Sequence, residues 1–308
     1  MQAQIEDGLL SATDTMRVQI GDVGCLLICR DAEVFGNLKN LYRNFLTLEP
    51  ADISFELEPV ERMNSAEIEA ALDEMRFTHE GNHFTSTNLI ITGEHNLTGR
   101  TISMTVEKRL LSSDVGPNYV NRALSLAYYT ACKVRYNGNP PALLVHSCGI
   151  LRHGQALLFV GPCGAGKTTI ARLCGMEYGQ VLNDEAVLVS RPHQSNDALR
   201  VQGVPMIGEL HQRLNIAAPL RCVLLLKQSK KTDIHRLDRM EAYLSFMRQV
   251  WAPAYIGQRD RRAIYSLIAE FSDEVTRTTP FYELEFSLDK ESLWEVVAEL
   301  EGELERRE

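Results

Sequence analysis

Gly161-Pro162-Cys163-Gly164-Ala165-Gly166-Lys167-Thr168 fit GxxxxGK(S/T), the spacing of a phosphate-binding loop. The chemistry follows from the residue types. The glycines let the backbone curl until successive N–H groups face one anion. A helix starting at the end of the loop adds partial positive charge at its N-terminus. Lys167 is long enough to reach the β- and γ-phosphates of a nucleotide, and the Thr168 hydroxyl suits Mg²⁺. With Thr169 the run 161–169 is the candidate nucleotide site.

A phosphate loop alone transfers nothing. It needs a carboxylate at the end of a neighbouring strand to hold the metal or its water shell. Asp184 and Glu185 follow the apolar pair Val181-Leu182 and occupy such a place. Two adjacent acids permit one to serve the metal and the other to take a proton from an attacking hydroxyl. Glu209, after Val204-Pro205-Met206-Ile207-Gly208, is a third candidate carboxylate for the metal. Arg236, Arg239 and the cluster Arg259-Asp260-Arg261-Arg262 are candidates for a cation that stabilises a transferring phosphoryl group. His79, His83 and His95 show no regular ligand spacing and read as surface histidines.

The elements around these residues set their positions. Gln155–Val160 reads as a buried strand entering the loop, and Thr169–Cys174 as the first turns of a helix. Ala142–His146, Ala186–Val189, Leu220–Lys227 and Phe281–Phe286 read as further strands. Gly149–Gly154 reads as a short strand and turn, Met240–Val250 and Ala263–Phe271 as helices. Ser292–Leu300 reads as a final amphipathic helix, followed by a solvated charged tail, Glu301–Glu308.

Upstream, residues 16–109 show short strands at Arg17–Ile20, Cys25–Cys29, Ile53–Glu58, His83–Thr85, Leu89–Ile91 and Thr101–Val106. Val34–Phe45 keeps helical spacing, and Asn64 with Glu67 forms a capping box for an acidic helix through Met75. These predict a small antiparallel α+β domain over 1–117. Asn118–Tyr136 is apolar at helical spacing, a helix joining the two parts, and Asn137-Gly138-Asn139-Pro140-Pro141 ends it as a linker. The second domain is 142–308.

Composition narrows the setting. The chain has 308 residues, of which 44% are hydrophobic and 24% charged, room for two soluble domains. A net charge of −9 argues against a nucleic-acid platform. No apolar run reaches the length of a membrane span, and Met1–Thr15 is polar and acidic, unlike a signal peptide. The seven cysteines are scattered, mostly in apolar surroundings, as expected of thiols in a reducing cytoplasm. Cys163, inside the loop, is a candidate for oxidation.

His146-Ser147-Cys148-Gly149, the loop Gly161–Thr168 and Asn183-Asp184-Glu185 together resemble the catalytic domain of the HPr kinase/phosphorylase family in order and spacing. The same core is similar to that of ATP-dependent phosphoenolpyruvate carboxykinase, whose loop also reads Gly-Lys-Thr-Thr. Residues 142–228 carry the resemblance. Val204–Leu210 and Ala218-Pro219-Leu220 look like HPr-kinase-related proteins, some of which phosphorylate serine in peptides made in biosynthetic clusters. The resemblance implies an α/β fold, a P-loop mixed-sheet catalytic domain behind the small α+β domain. It implies ATP and Mg²⁺ as cofactors, a serine hydroxyl of a protein or peptide as acceptor, and assembly into homo-oligomers. It gives Lys167 and the backbone of 163–168 the β-phosphate, and Thr168 the metal. Asp184 would be the base, Glu185 would lie near the metal, and His146 would tune the pair. Without it, a histidine on an apolar strand reads as a core residue. Glu185 stands where the family usually has aspartate, and the domain over 1–117 does not look like the family's. Two other readings of the same loop stay open: a nucleotide-driven regulatory switch without transfer, and a small-molecule kinase.

Overall fold

The computed structural model describes residues 15–73, 77–86, 90–96, 99–111, 116–135, 142–191, 198–251 and 258–306. They divide into two compact units. The first holds the described residues among 1–141, with 205–207 and 258–265. The second holds those among 142–204, 208–251 and 266–308.

In the first unit seven strands form one sheet. They are β1 (Thr15–Ile20), β2 (Val23–Cys29), β3 (Ile53–Val60), β4 (Phe77–Glu80), β5 (His83–Ser86), β6 (Ile91–Asn96) and β7 (Thr101–Glu107), in the order β1-β2-β3-β7-β6-β5-β4. The predicted alternation is visible in β3, where Ile53, Phe55 and Leu57 are buried while Glu56 and Glu58 are exposed. The sheet is mixed rather than antiparallel, because β2–β3 and β3–β7 are parallel pairs. Parallel neighbours need long returns. Helix α1 (Ala32–Tyr42) lies within the first return, and α2 (Ser65–Asp73) with β4–β6 within the second. The capping box at α2 is formed: Asn64 N donates to Glu67 Oε2 at 2.7 Å, and Glu67 N to Asn64 Oδ1 at 3.0 Å. Met75, Leu89 and the linker 137–141 lie outside the described residues, as does the side chain of His79. His83 is exposed. His95 is buried, against the surface reading, because it shares the inward face of β6 with Ile91 at even spacing.

Helix α3 (Lys108–Leu111) precedes α4 (Gly116–Arg135), which packs on β2, β3 and β7 through a face that includes Leu124, Ala127 and Tyr128. Asn121 of α4 exchanges two 2.9 Å bonds with the backbone of Ile207, which ties 205–207 to this unit.

The second unit is built on two long strands. They are β8 (Ala142–Arg152) and β13 (Ala217–Gln228), joined by β9 (Gln155–Val160), β10 (Gln180–Asn183), β11 (Ala186–Ser190), β12 (Arg200–Gly203), β14 (Asp233–Arg236) and β15 (Phe281–Phe286). The predicted strand at 142 and the strand at 149 are one element. The first half of β8 pairs with β11 and its second half with β9 and β10. β13 similarly pairs with β12 at its start and with β9 and β15 beyond. Strands β9, β13 and β15 run parallel, so Val160, Gln228 and Phe286 end on the same edge.

Helices α5 (Lys167–Tyr178), α6 (Arg239–Met247), α7 (Gln258–Thr278) and α8 (Lys290–Glu305) complete the unit. Ile170 and Cys174 of α5 and Leu293, Trp294 and Val297 of α8 share one apolar core with Leu157, Phe159, Leu224 and Leu284. Trp294 Nε1 donates to Leu173 O at 2.9 Å. The charged tail is solvated in part, with Glu303, Glu305 and Arg306 exposed. Helix α8 continues through it, Leu304 is buried, and Glu301 takes a forked bond from Arg152. Arg152 also donates to Tyr178 O and lies 5.1 Å over the Trp294 ring. A charge held by three partners is the burial that pattern reading misses. Among the described residues, no helix is long and apolar enough to cross a membrane.

Candidate functional site

The loop leaves the end of β9 and enters α5, as strand–loop–helix reading requires. Gly161 is buried, while Pro162, Cys163 and Gly164 are exposed. Gly164 and Gly166 have φ of +79° and +107°, values L side chains rarely adopt. Gly166 is also a close approach, since a Cβ there would lie 2.5 Å from Phe286 Cζ. As N-cap of α5 it offers no side-chain acceptor, so the first N–H groups of the helix keep their donors for an anion. Ala165 N donates to Pro162 O at 3.0 Å, and Gln228 Nε2 to Gly164 O at 2.7 Å, fixing the apex from the end of β13. Lys167 is buried, with Nζ donating to Gly161 O at 3.0 Å and Pro162 O at 3.2 Å. Burial lowers its pKa, and the Glu185 carboxylate partly opposes this. Thr168 and Thr169 are half-buried at the helix start.

Strand β8 explains how the other candidates reach this loop. His146 lies opposite Ala186, the first residue of β11, while the next residue, Ser147, lies opposite Val160, the last of β9. Where β8 changes partners, three segments therefore meet: His146, the Asn183–Glu185 turn and the loop. His146 Nε2 is 3.9 Å from Glu185 Oε2. Its ring stacks on Trp251 with centroids 6.3 Å apart. Burial, with the Lys167 charge added, pushes the His146 imidazole down to about 4. It is neutral at pH 7.

Asn183 shapes the acidic turn. Its buried Oδ1 accepts from Glu185 N at 2.7 Å and Ala186 N at 3.2 Å, and its Nδ2 donates to Val204 O at 2.9 Å. Asp184 is 2% exposed. Burial raises its pKa, while the Leu210 N–H, its own backbone and the Thr168 hydroxyl beside it pull the other way. Leu210 N donates to Oδ2 at 3.2 Å, and Oδ1 is buried without a hydrogen-bond partner among the described residues. Glu185 is half-buried and reaches toward His146 and Lys167.

Of the remaining candidates, Glu209 lies close enough for its charge to help raise the Asp184 pKa, while Arg236 and Arg239 stand apart. Glu209 is exposed and paired with Arg172 of α5 at 3.1 Å. Arg239 pairs with Asp273 at 2.6 Å, in solvent. Arg236 lies opposite Tyr282, four residues back along β15 from Phe286 and the loop. The side chains of Arg259, Asp260 and Arg261 lie outside the described residues, and Arg262 is exposed. Cys163 is the exposed cysteine; the other six are buried. Among the described residues no group of three or more His, Cys, Asp or Glu residues is arranged to hold a metal. Asn183, Gln228, Trp251 and Gly208 were not found from sequence. Only the asparagine gave a signal, its place at a strand end where a side chain can cap a turn.

The family model described as ScmC, SynChlorMet cassette protein ScmC, matches residues 118–300. No curated protein sequence matches significantly. Among solved structures, the Hpr(Ser) kinase/phosphatase from Coxiella burnetii matches over 53% of this chain and 98% of its own, with 9% identity and a TM-score of 0.30.

Proposed function

The chain belongs to the family of SynChlorMet cassette protein ScmC, and we propose that it is an ATP- and Mg²⁺-dependent P-loop kinase. It would transfer the γ-phosphoryl group to a hydroxyl, serine first, of a protein or peptide. One observation carries the reading: Lys167, Thr168, Asp184, Glu185 and His146, from three separate segments, converge where β8 changes partners.

The donor set fits Mg²⁺. A hydroxyl and a carboxylate are hard oxygen ligands, and Asp184 Oδ1 is a buried acceptor with no hydrogen-bond donor among the described residues. Thr168 and Asp184 would hold the ion, which when bound neutralises phosphate charge. The backbone of 163–168 and Lys167 would cradle the phosphates, the lysine exchanging its two loop carbonyls for phosphate oxygens. Glu185, more exposed and facing neutral His146, is suited to the acceptor. The acceptor oxygen bonds to the γ-phosphorus, the bond to the β-phosphate oxygen breaks, ADP leaves, and Glu185 takes the proton. This reverses the division the resemblance implied, because Thr168 lies beside the buried Asp184, while Glu185 reaches toward His146. Glu209, engaged by Arg172, is left outside the metal set.

Glu185→Gln should bind Mg-ATP as the wild type does and lose transfer. Asp184→Asn should lose the Mg²⁺ enhancement of ATP binding. Full turnover in Glu185→Gln would return the base to Asp184. Saturable ATP binding without transfer to any hydroxyl acceptor would favour the regulatory switch.

A further inference from the structure

Asp184 is seated against a residue that has no side chain. A Cβ built on Gly208 would lie 2.2 Å from Asp184 Oδ1, 2.7 Å from Cγ and 3.0 Å from Oδ2. Real Cβ atoms do not approach oxygen so closely, and Asp184, 2% exposed, has little room to retreat. The next residues engage the same carboxylate. Gly208–His211 closes a turn through His211 N donating to Gly208 O at 3.3 Å, and within it Leu210 N holds Oδ2. The Arg172–Glu209 pair ties the turn to α5, the helix that carries Thr168. Oδ2 thus accepts an N–H, and Oδ1, which has no hydrogen-bond partner among the described residues, lies against the glycine Cα.

We infer that Gly208 is a positioning residue for Asp184, its missing side chain setting the direction of Oδ1. This rests on the reading of Asp184 as the cation ligand. It extends that reading to a residue that has no side chain to offer a ligand, and assigns the Gly208–Leu210 turn the task of presenting one oxygen. A side chain at 208 would rotate or displace the carboxylate while leaving the phosphate loop untouched.

The experiment is a cycle of Gly208→Ala, Asp184→Ala and the double variant, read by calorimetric ATP binding with and without Mg²⁺ and by thermal melting. Gly208→Ala should keep metal-free ATP affinity within about twofold and lose roughly tenfold or more of the Mg²⁺ enhancement, as disturbed ligand support does elsewhere. In the Asp184→Ala background the same change should alter neither quantity, and its melting penalty should shrink. Full Mg²⁺ enhancement in Gly208→Ala overturns the inference. So does an equal melting penalty in both backgrounds, which would mean that the glycine serves packing alone. If Gly208→Ala does not fold, the double variant decides: recovery of folding supports the inference, failure refutes it. The melting cycle needs neither cation nor turnover. Wild type that shows no Mg²⁺ enhancement or no transfer therefore sinks the proposed function without touching the coupling of Gly208 to Asp184.

Discussion

Gly166→Ala tests whether the loop geometry is what binds phosphate. At φ +107° an alanine lies beyond even the left-handed helical region, and its Cβ would meet the Phe286 ring at 2.5 Å. Phe286 is 3% exposed within the core beneath α5, so it cannot swing out. Strained backbone of this kind costs about 1–3 kcal/mol. That strain has two outlets. If the loop holds its shape, folding bears it, and a unit of this size loses roughly 2–4 °C per kcal/mol. If the loop gives way, the melting point stays and nucleotide affinity falls by about 5- to 150-fold for the same energy. Differential scanning fluorimetry and calorimetric ATP titration, run on one preparation, measure both outlets. The variant should show one loss or share it between the two. Wild-type melting together with wild-type ATP affinity would refute the loop argument.

Arg152→Met should destabilise the packing behind the site by about 1–3 kcal/mol in denaturant unfolding, because it leaves the half-buried Glu301 carboxylate and Tyr178 O without their donor. Asn183→Ala removes the bonds to Glu185 N, Ala186 N and Val204 O and should cost about 1–3 kcal/mol; a loss of ATP binding larger than the loss of stability would mean that the turn reaches the nucleotide. His146 binds its proton near pH 6.5 when unfolded but only near 4 when folded. The unfolded chain therefore takes up more protons in that window, and the stability His146 supports is full above about pH 6.5 and lost as pH falls toward 4. His146→Gln should flatten the pH–stability curve between those values, and an unchanged curve would contradict the burial of this imidazole.

Features written in local sequence were legible. The loop and its flanking strand and helix, the Asn64–Glu67 capping box and the alternation in β3 each depend on neighbours a few residues apart. What escaped depends on partners far along the chain. The parallel pairs in the first sheet follow from where long returns lead, which alternation does not encode. Glu301 read as solvated because Arg152, its partner, is 149 residues away. Gly208 looked like loop punctuation until Asp184 was seen against it. Candidates for the site could be found by residue type, yet Asp184 and Glu185 are told apart only by depth: one is buried beside Thr168, the other faces His146. That difference belongs to the crossing of β8 between its two sets of partners, and the place of Arg236 to the register of β14 on β15.

The central claim is tested most directly by γ-phosphate transfer. Purified protein is incubated with Mg²⁺ and γ-labelled ATP in the presence of a serine-bearing peptide library, wild type beside Lys167→Ala. The account predicts ADP release coupled to label on peptide hydroxyls in the wild type, and neither in the variant. Saturable ATP binding by the wild type with no label on any peptide, or equal labelling by Lys167→Ala, would contradict it.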